Sequence, residues 1–359
     1  MMPDDSPETT LKTCPRCALP LAPVRYDEVE LDLCRACGGV WLDGGEGEAV
    51  IGPAGDPVLW ARHGAIVREE PSERLCPVDG AVLTELGLKG GRDEVSIDLC
   101  PECRGIWLDA GEGAKVQSVV TAAIQESPQL QEPGFWSYLL QAVSGIPIEV
   151  WNPVRQRPWL TIWLVASLTA VFLAQFAVHL FGSEATTEWI VRRFGHTPGQ
   201  VAWQPWTFFT YGLLHGGWLH LVGNCYFLYV FGDNIEDRLG RAAFVGIYVM
   251  ALVAGALAQH LVDPETPVVG ASGAIAGLMG AYLVLFPGVK VYVVLLMARL
   301  KMRVLWYMGI WVGLQFLIAA QADGEVAWMV HLGGFLAGVL GALVLRRHGL
   351  DFFIDKCRR

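Results

Sequence analysis

Long apolar segments fill the second half of the chain, whereas the first half mixes short apolar runs with charged residues. A helix needs about 20 mainly apolar residues to cross a bilayer. Segments near that length occur at 159–181, 205–231, 243–262, 269–287, 303–320 and 326–345. The pattern therefore predicts six membrane-spanning helices. The run VYVVLLM (291–297) is apolar but too short to cross.

The Lys and Arg residues beside these segments predict their orientation. Thirteen lie on the side that holds both chain ends, against Arg192 and Arg193 on the other side. Cytosolic loops carry the excess of Lys and Arg, so both termini are expected in the cytosol. The polar start MMPDDSPETTLK has no apolar signal core. We therefore expect an integral protein of a bacterial inner (plasma) membrane.

Charge divides the chain at about the same place as hydropathy. Residues 1–150 contain 11 Lys and Arg against 25 Asp and Glu, a net charge of −14. Residues 151–359 contain 15 against 11, a net charge of +4. An acidic soluble region therefore precedes the membrane region. Between them, the aromatic stretch 135–159 is broken by Ser, Gly and Pro, and is predicted to lie along the cytosolic membrane surface.

Cysteines in the first region have the spacing of a metal site. Cys14, Cys17, Cys34 and Cys37 form C-x2-C-x16-C-x2-C. In the reducing cytosol this spacing indicates metal rather than disulfides. A hairpin between the two pairs would bring four thiolates around a tetrahedral Zn²⁺, a structural ion whose binding supplies the folding free energy of so small a unit.

A second copy of this unit follows with one ligand changed. The motif Trp41-Leu42-Asp43 recurs as Trp107-Leu108-Asp109, and Asp79 stands where the first copy has a cysteine. A carboxylate oxygen can bind zinc. Two interpretations remain open: a weaker Cys3Asp site, or a copy that keeps the shape without the metal. The residues of this second site are Cys76, Asp79, Cys100 and Cys103.

The motifs CPRC and CRACGGVWLDGGE resemble the TFIIB-type zinc-ribbon family, in tandem over about residues 12–115. A surface that binds phosphates should be rich in Lys and Arg. The acidic charge of this region therefore argues against nucleic acid and favours a cytosolic protein partner. Residues 112–132 are polar and are expected to form a linker.

Three of the apolar segments carry polar residues that are candidates for a shared site: His220, Asn224, Ser272 and His331. Such groups are rare inside membranes and usually face the bundle interior or a wet cavity. Glycines at short spacing follow Ser272 and His331 and would let their helices approach closely. We therefore expect Ser272 and His331 to lie within hydrogen-bonding distance. The glycines are Gly273, Gly277 and Gly280 on one helix, and Gly334, Gly338 and Gly341 on the other.

A serine beside a histidine is an activated nucleophile, because the imidazole takes the hydroxyl proton during attack on a carbonyl. The membrane segments offer no carboxylate to orient the histidine, so the prediction is a dyad. The Ser272 backbone N–H, the Asn224 amide and the His220 ring suit an oxyanion hole. His215 lies five residues before His220, faces about 140° away on a helix and is assigned a structural role.

The motifs HGGWLHLVGN, GASGAIAGLMG and VHLGGFLAG together resemble the rhomboid family of intramembrane serine proteases, over about residues 155–347. The resemblance implies a six-helix bundle that cleaves membrane-anchored substrates, with Ser272 as nucleophile, His331 as general base, and His220 and Asn224 in the oxyanion hole. The aromatic residue that can stack on the histidine in this family is replaced here by Ala276. The alternative is a catalytically silent relative that binds membrane proteins and recruits a cytosolic partner through its ribbons.

The expected fold is an all-α polytopic membrane domain preceded by two small β-rich zinc ribbons. Its expected partners are the lipid bilayer and membrane-protein substrates with transmembrane segments, and catalysis needs no cofactor. The expected domains are ribbon one (1–50), a linker (51–75), ribbon two (76–115), a linker with the interfacial segment (116–158), the six-helix domain (159–347) and a basic cytosolic tail (348–359).

Overall fold

The computed structural model describes residues 12–26, 28–130, 133–144, 146–200, 202–295, 298–321, 327–345 and 357. The chain divides between Glu132 and Pro133 into an N-terminal unit and a second unit that ends at Arg347. The predicted basic tail, 348–359, lies outside the described residues except for Cys357.

The N-terminal unit contains one antiparallel seven-stranded sheet with the strand order β1-β2-β3-β7-β6-β5-β4. A short 3-10 helix, Pro53–Gly55, precedes its second α-helix. The elements are β1 (Ala22–Tyr26), β2 (Val29–Leu33), β3 (Val40–Leu42), α1 (Glu46–Ile51), α2 (Pro57–Arg62), β4 (Ile66–Leu75), β5 (Val82–Gly90), β6 (Asp93–Leu99), β7 (Ile106–Leu108) and α3 (Glu112–Glu126).

The two sequence repeats join through their tryptophans. Strands β3 and β7 pair with Trp41 opposite Trp107, and both indoles are fully buried. Each indole occupies the space where a Cβ would stand on a glycine of the other repeat, Trp41 at Gly105 and Trp107 at Gly39. Because each repeat fills the other's glycine gap, the two ribbons share one core.

Segments expected to be linkers belong to this folded unit. The stretch 51–75 contains α2, whose Trp60 is fully buried and donates to the Ala54 carbonyl, and the edge strand β4. The stretch 112–132 begins with α3, which buries Val116 and Val120 and packs against β5 and β6. Apolar residues at helical spacing, hidden among polar ones, explain why composition indicated a linker.

The second unit is mainly helical. Two 3-10 helices, Pro198–Gln200 and Tyr211–Leu213, lie among its longer elements. The others are α4 (Phe135–Ser144), β8 (Ile148–Glu149), α5 (Trp159–Phe181), α6 (Glu184–Phe194), α7 (Thr207–Thr210), α8 (Trp218–Leu239), α9 (Arg241–His260), α10 (Ser272–Leu285), β9 (Lys290–Leu295), β10 (Ala298–Arg303), α11 (Val304–Gln321) and α12 (Trp328–Leu345).

A helix lies in each of the six segments that hydropathy predicts. Among the described residues, α5, α9 and α12 are long and apolar enough to cross a membrane, and α10 and 304–317 are shorter apolar helices. The predicted fold class, apolar helices after β-rich ribbons, is therefore confirmed.

The second predicted segment differs in its bounds. Hydropathy indicated 205–231, whereas α8 begins at Trp218, after Gly216 and Gly217, and continues to Leu239. Its last turns stay helical because their polar groups have partners. The Glu236 carboxylate accepts hydrogen bonds from the backbone N–H groups of Leu160 and Thr161 at the start of α5, at 3.0 and 2.8 Å. A carboxylate stabilises a helix N-terminus in this way.

Helix α10 lies at the centre of the second unit, with every residue from Gly273 to Tyr282 buried. It packs closely on α12 through glycines. A Cβ on Gly334 would collide with the Gly273 carbonyl, and one on Gly338 with the Gly277 carbonyl. The close approach that such glycines permit brings the beginnings of α10 and α12 together.

The described part of the short apolar run, 291–295, lies in β9, which pairs with β10 and β8 to form a three-stranded sheet. Helix α4 is held to this sheet by Arg299, which donates to Gln141 at 3.0 Å and to Ser137 at 3.1 Å. Trp136 on α4 is 78% exposed. This exposure fits the predicted surface position of the segment.

A buried polar cluster holds β8 to α8 and α10. Glu149 accepts hydrogen bonds from the Tyr282 hydroxyl, from Asn152 at 3.2 Å and from Asn234 at 3.4 Å. Burial raises the pKa of Glu149 to about 8, with a further upward contribution from Asp233 and opposition from these hydrogen bonds. The carboxyl group is therefore stabilised in its protonated form.

Candidate functional site

The loop before α10 fixes the position of Ser272. Gly270 has a φ of 125°, a conformation that L side chains rarely adopt, and its N–H donates to the Tyr211 carbonyl at 2.9 Å. A Cβ on this glycine would lie 2.7 Å from the His220 ring. The loop therefore turns sharply against α8, and α10 begins at Ser272.

The structure brings Ser272 and His331 together. The Ser272 Oγ lies 2.8 Å from the His331 Nε2, within hydrogen-bonding distance. The two residues are 59 positions apart in the sequence and meet because α12 packs on α10 through glycines. The pair has the geometry of a nucleophile and its base, and the catalytic roles remain a prediction.

The second ring nitrogen of His331 has a partner that the sequence analysis missed. The His331 Nδ1 lies 2.8 Å from the Oε1 of Gln315 on α11. Gln315 is only 5% exposed. Only a carboxylate was expected to orient the histidine, although an amide oxygen can accept the same hydrogen bond. A single glutamine within the apolar run 304–317 was the available signal.

The two predicted oxyanion residues lie beside the serine loop. Asn224 is 7% exposed, and within the part of the chain that the structure describes, its Nδ2 has no hydrogen-bond partner. A Cβ on Gly270 would lie 3.7 Å from that nitrogen. The His220 Nδ1 is 3.5 Å from the Gly216 N–H. A buried, unpaired amide donor is costly and is available to a ligand.

His215, to which the sequence assigned a structural role, is buried beside His220. Its ring centroid lies 5.2 Å from that of His220 in an edge-on arrangement. Neither of its ring nitrogens has a partner among the described residues. Its backbone N–H donates to the Oε1 of Gln175 on α5 at 3.1 Å.

The first cysteine cluster has the dimensions of a metal site. The Sγ of Cys17 lies 3.4 Å from that of Cys14 and 3.3 Å from that of Cys34, and Cys14 is 3.8 Å from Cys37. Four sulfurs at about 2.3 Å from a tetrahedral zinc would be about 3.8 Å apart. The distances exceed the ~2.05 Å of a disulfide, so the four free thiols fit a zinc ion.

Backbone geometry prepares both clusters in the same way. In every knuckle the N–H of the fifth residue donates to the carbonyl of the first cysteine, and the N–H of that cysteine donates to the carbonyl of the sixth residue. The fifth residues have left-handed φ values between 57° and 77°, although two of them are not glycine. They are Ala18, Gly38, Gly80 and Arg104.

Asp79 takes the place of the missing thiol in the second cluster. Its carboxylate lies 3.4 Å from the Cys100 Sγ, while the Sγ atoms of Cys76 and Cys103 are 3.5 Å apart. The Ala81 N–H donates to Asp79 at 2.9 Å and lowers the pKa of this carboxyl group. All four ligand atoms lie within 4.8 Å of one another. The group fits a Cys3Asp metal site.

A serine–histidine pair lies among the apolar helices of an integral membrane protein. Comparison with known families agrees. Residues 202–348 match the family model of the rhomboid domain, and residues 13–51 and 75–116 match that of a transcription factor zinc-finger, the TFIIB-type zinc ribbon. The chain thus contains a rhomboid domain preceded by two zinc ribbons, and both sequence resemblances are confirmed.

Similar curated proteins carry rhomboid names. The Rhomboid protease GluP of Bacillus subtilis is 28% identical over 61% of this chain and 41% of its own length. Rhomboid-related protein 2 of Mus musculus is 28% identical over 47% of this chain and 60% of its own. RHOMBOID-like protein 5 of Arabidopsis thaliana is 34% identical over 37% of this chain and 42% of its own length. The chain thus matches 41% to 60% of the length of these relatives.

Proposed function

We propose that the protein is an intramembrane serine endopeptidase that hydrolyses peptide bonds in or near transmembrane segments of membrane proteins. The observation that carries the proposal is the 2.8 Å contact between the Ser272 Oγ and the His331 Nε2. The rhomboid match over residues 202–348 supports the same activity. Substrates should be single membrane segments whose helix unwinds easily, because cleavage needs an extended backbone.

The proposed reaction uses the serine as nucleophile. Its Oγ attacks the scissile carbonyl carbon while the His331 Nε2 takes the hydroxyl proton. The oxyanion accepts hydrogen bonds from the Ser272 N–H, the Asn224 amide and the His220 ring. Collapse breaks the C–N bond, and the imidazolium gives its proton to the leaving amine. Water then hydrolyses the acyl-serine ester by the same proton route and restores the free hydroxyl.

Asn224 fits this role because its amide nitrogen is buried and has no other partner among the described residues. Loss of one oxyanion donor costs on the order of 10²-fold to 10³-fold in kcat. We therefore expect Asn224→Ala to lower kcat strongly while the acyl-enzyme can still form. The matched control is Asn234→Ala, the same substitution at the far end of α8. The Asn234 amide contacts Glu149 and does not lie beside the serine loop.

The test is cleavage of a model transmembrane substrate by purified protein in liposomes. Wild type should give product bands that Ser272→Ala and His331→Ala do not, and a fluorophosphonate should label wild type but not Ser272→Ala. Identical bands from wild type and Ser272→Ala would refute the proposal. Absence of both labelling and cleavage in folded wild type would favour the catalytically silent relative.

We also propose that both cysteine clusters bind Zn²⁺. Zinc at these sites supplies folding free energy to a domain whose cores are small. The thiolates of Cys14, Cys17, Cys34 and Cys37 would hold the first ion, and the second cluster would bind more weakly because Asp79 replaces a thiolate. Elemental analysis of the purified protein should give close to two zinc ions per chain, and a value near one would exclude the second site.

We propose further that the ribbons face the cytosol and recruit a protein partner or the cytosolic tail of a substrate. The supports are the −14 net charge of residues 1–150 and the distribution of Lys and Arg around the membrane segments. Protein lacking residues 1–130 should still cleave a model substrate but cleave its native substrate more slowly in cells. Unchanged native cleavage would count against recruitment.

A further inference from the structure

Gln315 contacts the face of the histidine that lies away from the serine. Its Oε1 lies 2.8 Å from the His331 Nδ1, as close as the Ser272 Oγ is to the Nε2. The glutamine is on α11, the histidine on α12 and the serine on α10. Three helices thus contribute to one continuous chain of hydrogen bonds.

The orientation of the Gln315 amide is set by its own surroundings. Its Nε2 donates to the carbonyl of Trp311, one helical turn earlier, at 3.4 Å. With the nitrogen engaged by a carbonyl, the oxygen is the atom left to face His331. An amide oxygen can only accept a hydrogen bond. The His331 Nδ1 must therefore be the protonated ring nitrogen.

The consequence concerns the tautomer of the histidine. A neutral imidazole protonated at Nδ1 has its lone pair at Nε2. That lone pair is the acceptor that the Ser272 hydroxyl needs when it loses its proton. Trp311 lies on α11 with Gln315, and its ring centroid is 6.0 Å from that of His331. The indole therefore limits rotation of the imidazole.

We propose that Gln315 is a positioning residue that holds His331 in its Nδ1-protonated tautomer and thereby completes a hydrogen-bonded Ser272–His331–Gln315 triad. This inference rests on the proposed protease function. It revises the prediction of an unassisted dyad, because a neutral amide occupies the place that a carboxylate has in Ser–His–Asp sites.

Gln315→Leu removes the acceptor while keeping the size of the side chain. We expect kcat to fall about tenfold with little change in KM, a loss of ~1.4 kcal/mol of transition-state stabilisation. Gln259→Leu is the matched control, because Gln259 on α9 is also 5% exposed and its Oε1 has no partner among the described residues. This control should keep the wild-type kcat.

Gln315→Glu separates positioning from packing. The carboxylate can still accept from the His331 Nδ1–H, so much of kcat should return. It also stabilises the imidazolium, so the acid limb of the kcat–pH profile should move to higher pH by about one unit or more. His220 on α8 also acts electrostatically on His331, but it is unchanged in every variant. A Glu variant with the kcat and the pH midpoint of the Leu variant would overturn the proposal.

A spectroscopic measurement tests the tautomer without activity. In ¹⁵N-histidine-labelled protein, with signals assigned by His331→Ala, the wild type should show a protonated Nδ1 and an unprotonated Nε2. Gln315→Leu should show a mixture of tautomers. The same His331 spectrum in both proteins would overturn the proposal. A wild type that shows the expected tautomer but cleaves nothing would refute the protease function alone.

Discussion

The half-buried carboxyl group of Glu149 should make the stability of the second unit depend on pH. Its pKa rises from 4.5 to about 8 on folding, mainly because of burial. The folded state therefore binds the proton more tightly than the unfolded state. The stabilising contribution is complete below about pH 4.5 and is lost as the pH rises through about 8.

The size of the effect follows from that shift. With a pKa of 4.5 in the unfolded state and about 8 in the folded state, the free energy of unfolding should fall by about 3–4 kcal/mol between pH 5 and pH 8. For a unit of 150–250 residues, this corresponds to a fall in Tm of roughly 7–14 °C. Glu149→Gln cannot ionise and keeps an acceptor for the Tyr282 hydroxyl. Its Tm should fall much less over the same range.

The measurement is thermal unfolding of purified protein in detergent at half-unit steps from pH 5 to pH 8.5, with zinc held constant. Asp56→Asn is the matched control, because Asp56 is an exposed cap in the N-terminal unit and bonds the Val58 N–H at 2.8 Å. This control should retain the wild-type slope for the second unit. Equal slopes for wild type and Glu149→Gln would refute the reasoning.

Three further predictions concern other parts of the molecule. Gly270→Ala should lower kcat at least tenfold, because the new Cβ would lie 2.7 Å from the His220 ring and the backbone there is strained for an L residue. The assay is substrate cleavage, with Gly288→Ala as the control variant, because a Cβ at Gly288 meets open space. Trp107→Ala should lower the free energy of unfolding by about 3–5 kcal/mol, because the indole is fully buried between the ribbons. Urea unfolding of the zinc-loaded chain measures this change. Asp79→Cys should raise zinc affinity at the second cluster, and competition with a chelator should then remove both ions together.

The zinc ribbons show how local spacing determines a site. The four ligands of the first cluster are two adjacent pairs joined by one hairpin, so their meeting depends on short-range geometry. The same holds for Asp79, which its knuckle places beside Cys100. The pairing of β3 with β7 was not predictable in this way, because it depends on two tryptophans that fill glycine gaps 64 and 68 residues away.

In the membrane unit, the sequence by itself determined the apolar helices, their bounds within a few residues except for the second, and the polar residues they carry. Tertiary packing decided which polar groups meet. The Ser272–His331 contact spans 59 residues and needs the glycine faces of two helices, which periodicity indicated. The contact of Gln315 with His331 requires that α11 be oriented about its own axis so that Gln315 faces α12. An apolar helix with lipid on one side carries no pattern that fixes that orientation, so only the folded bundle decides it.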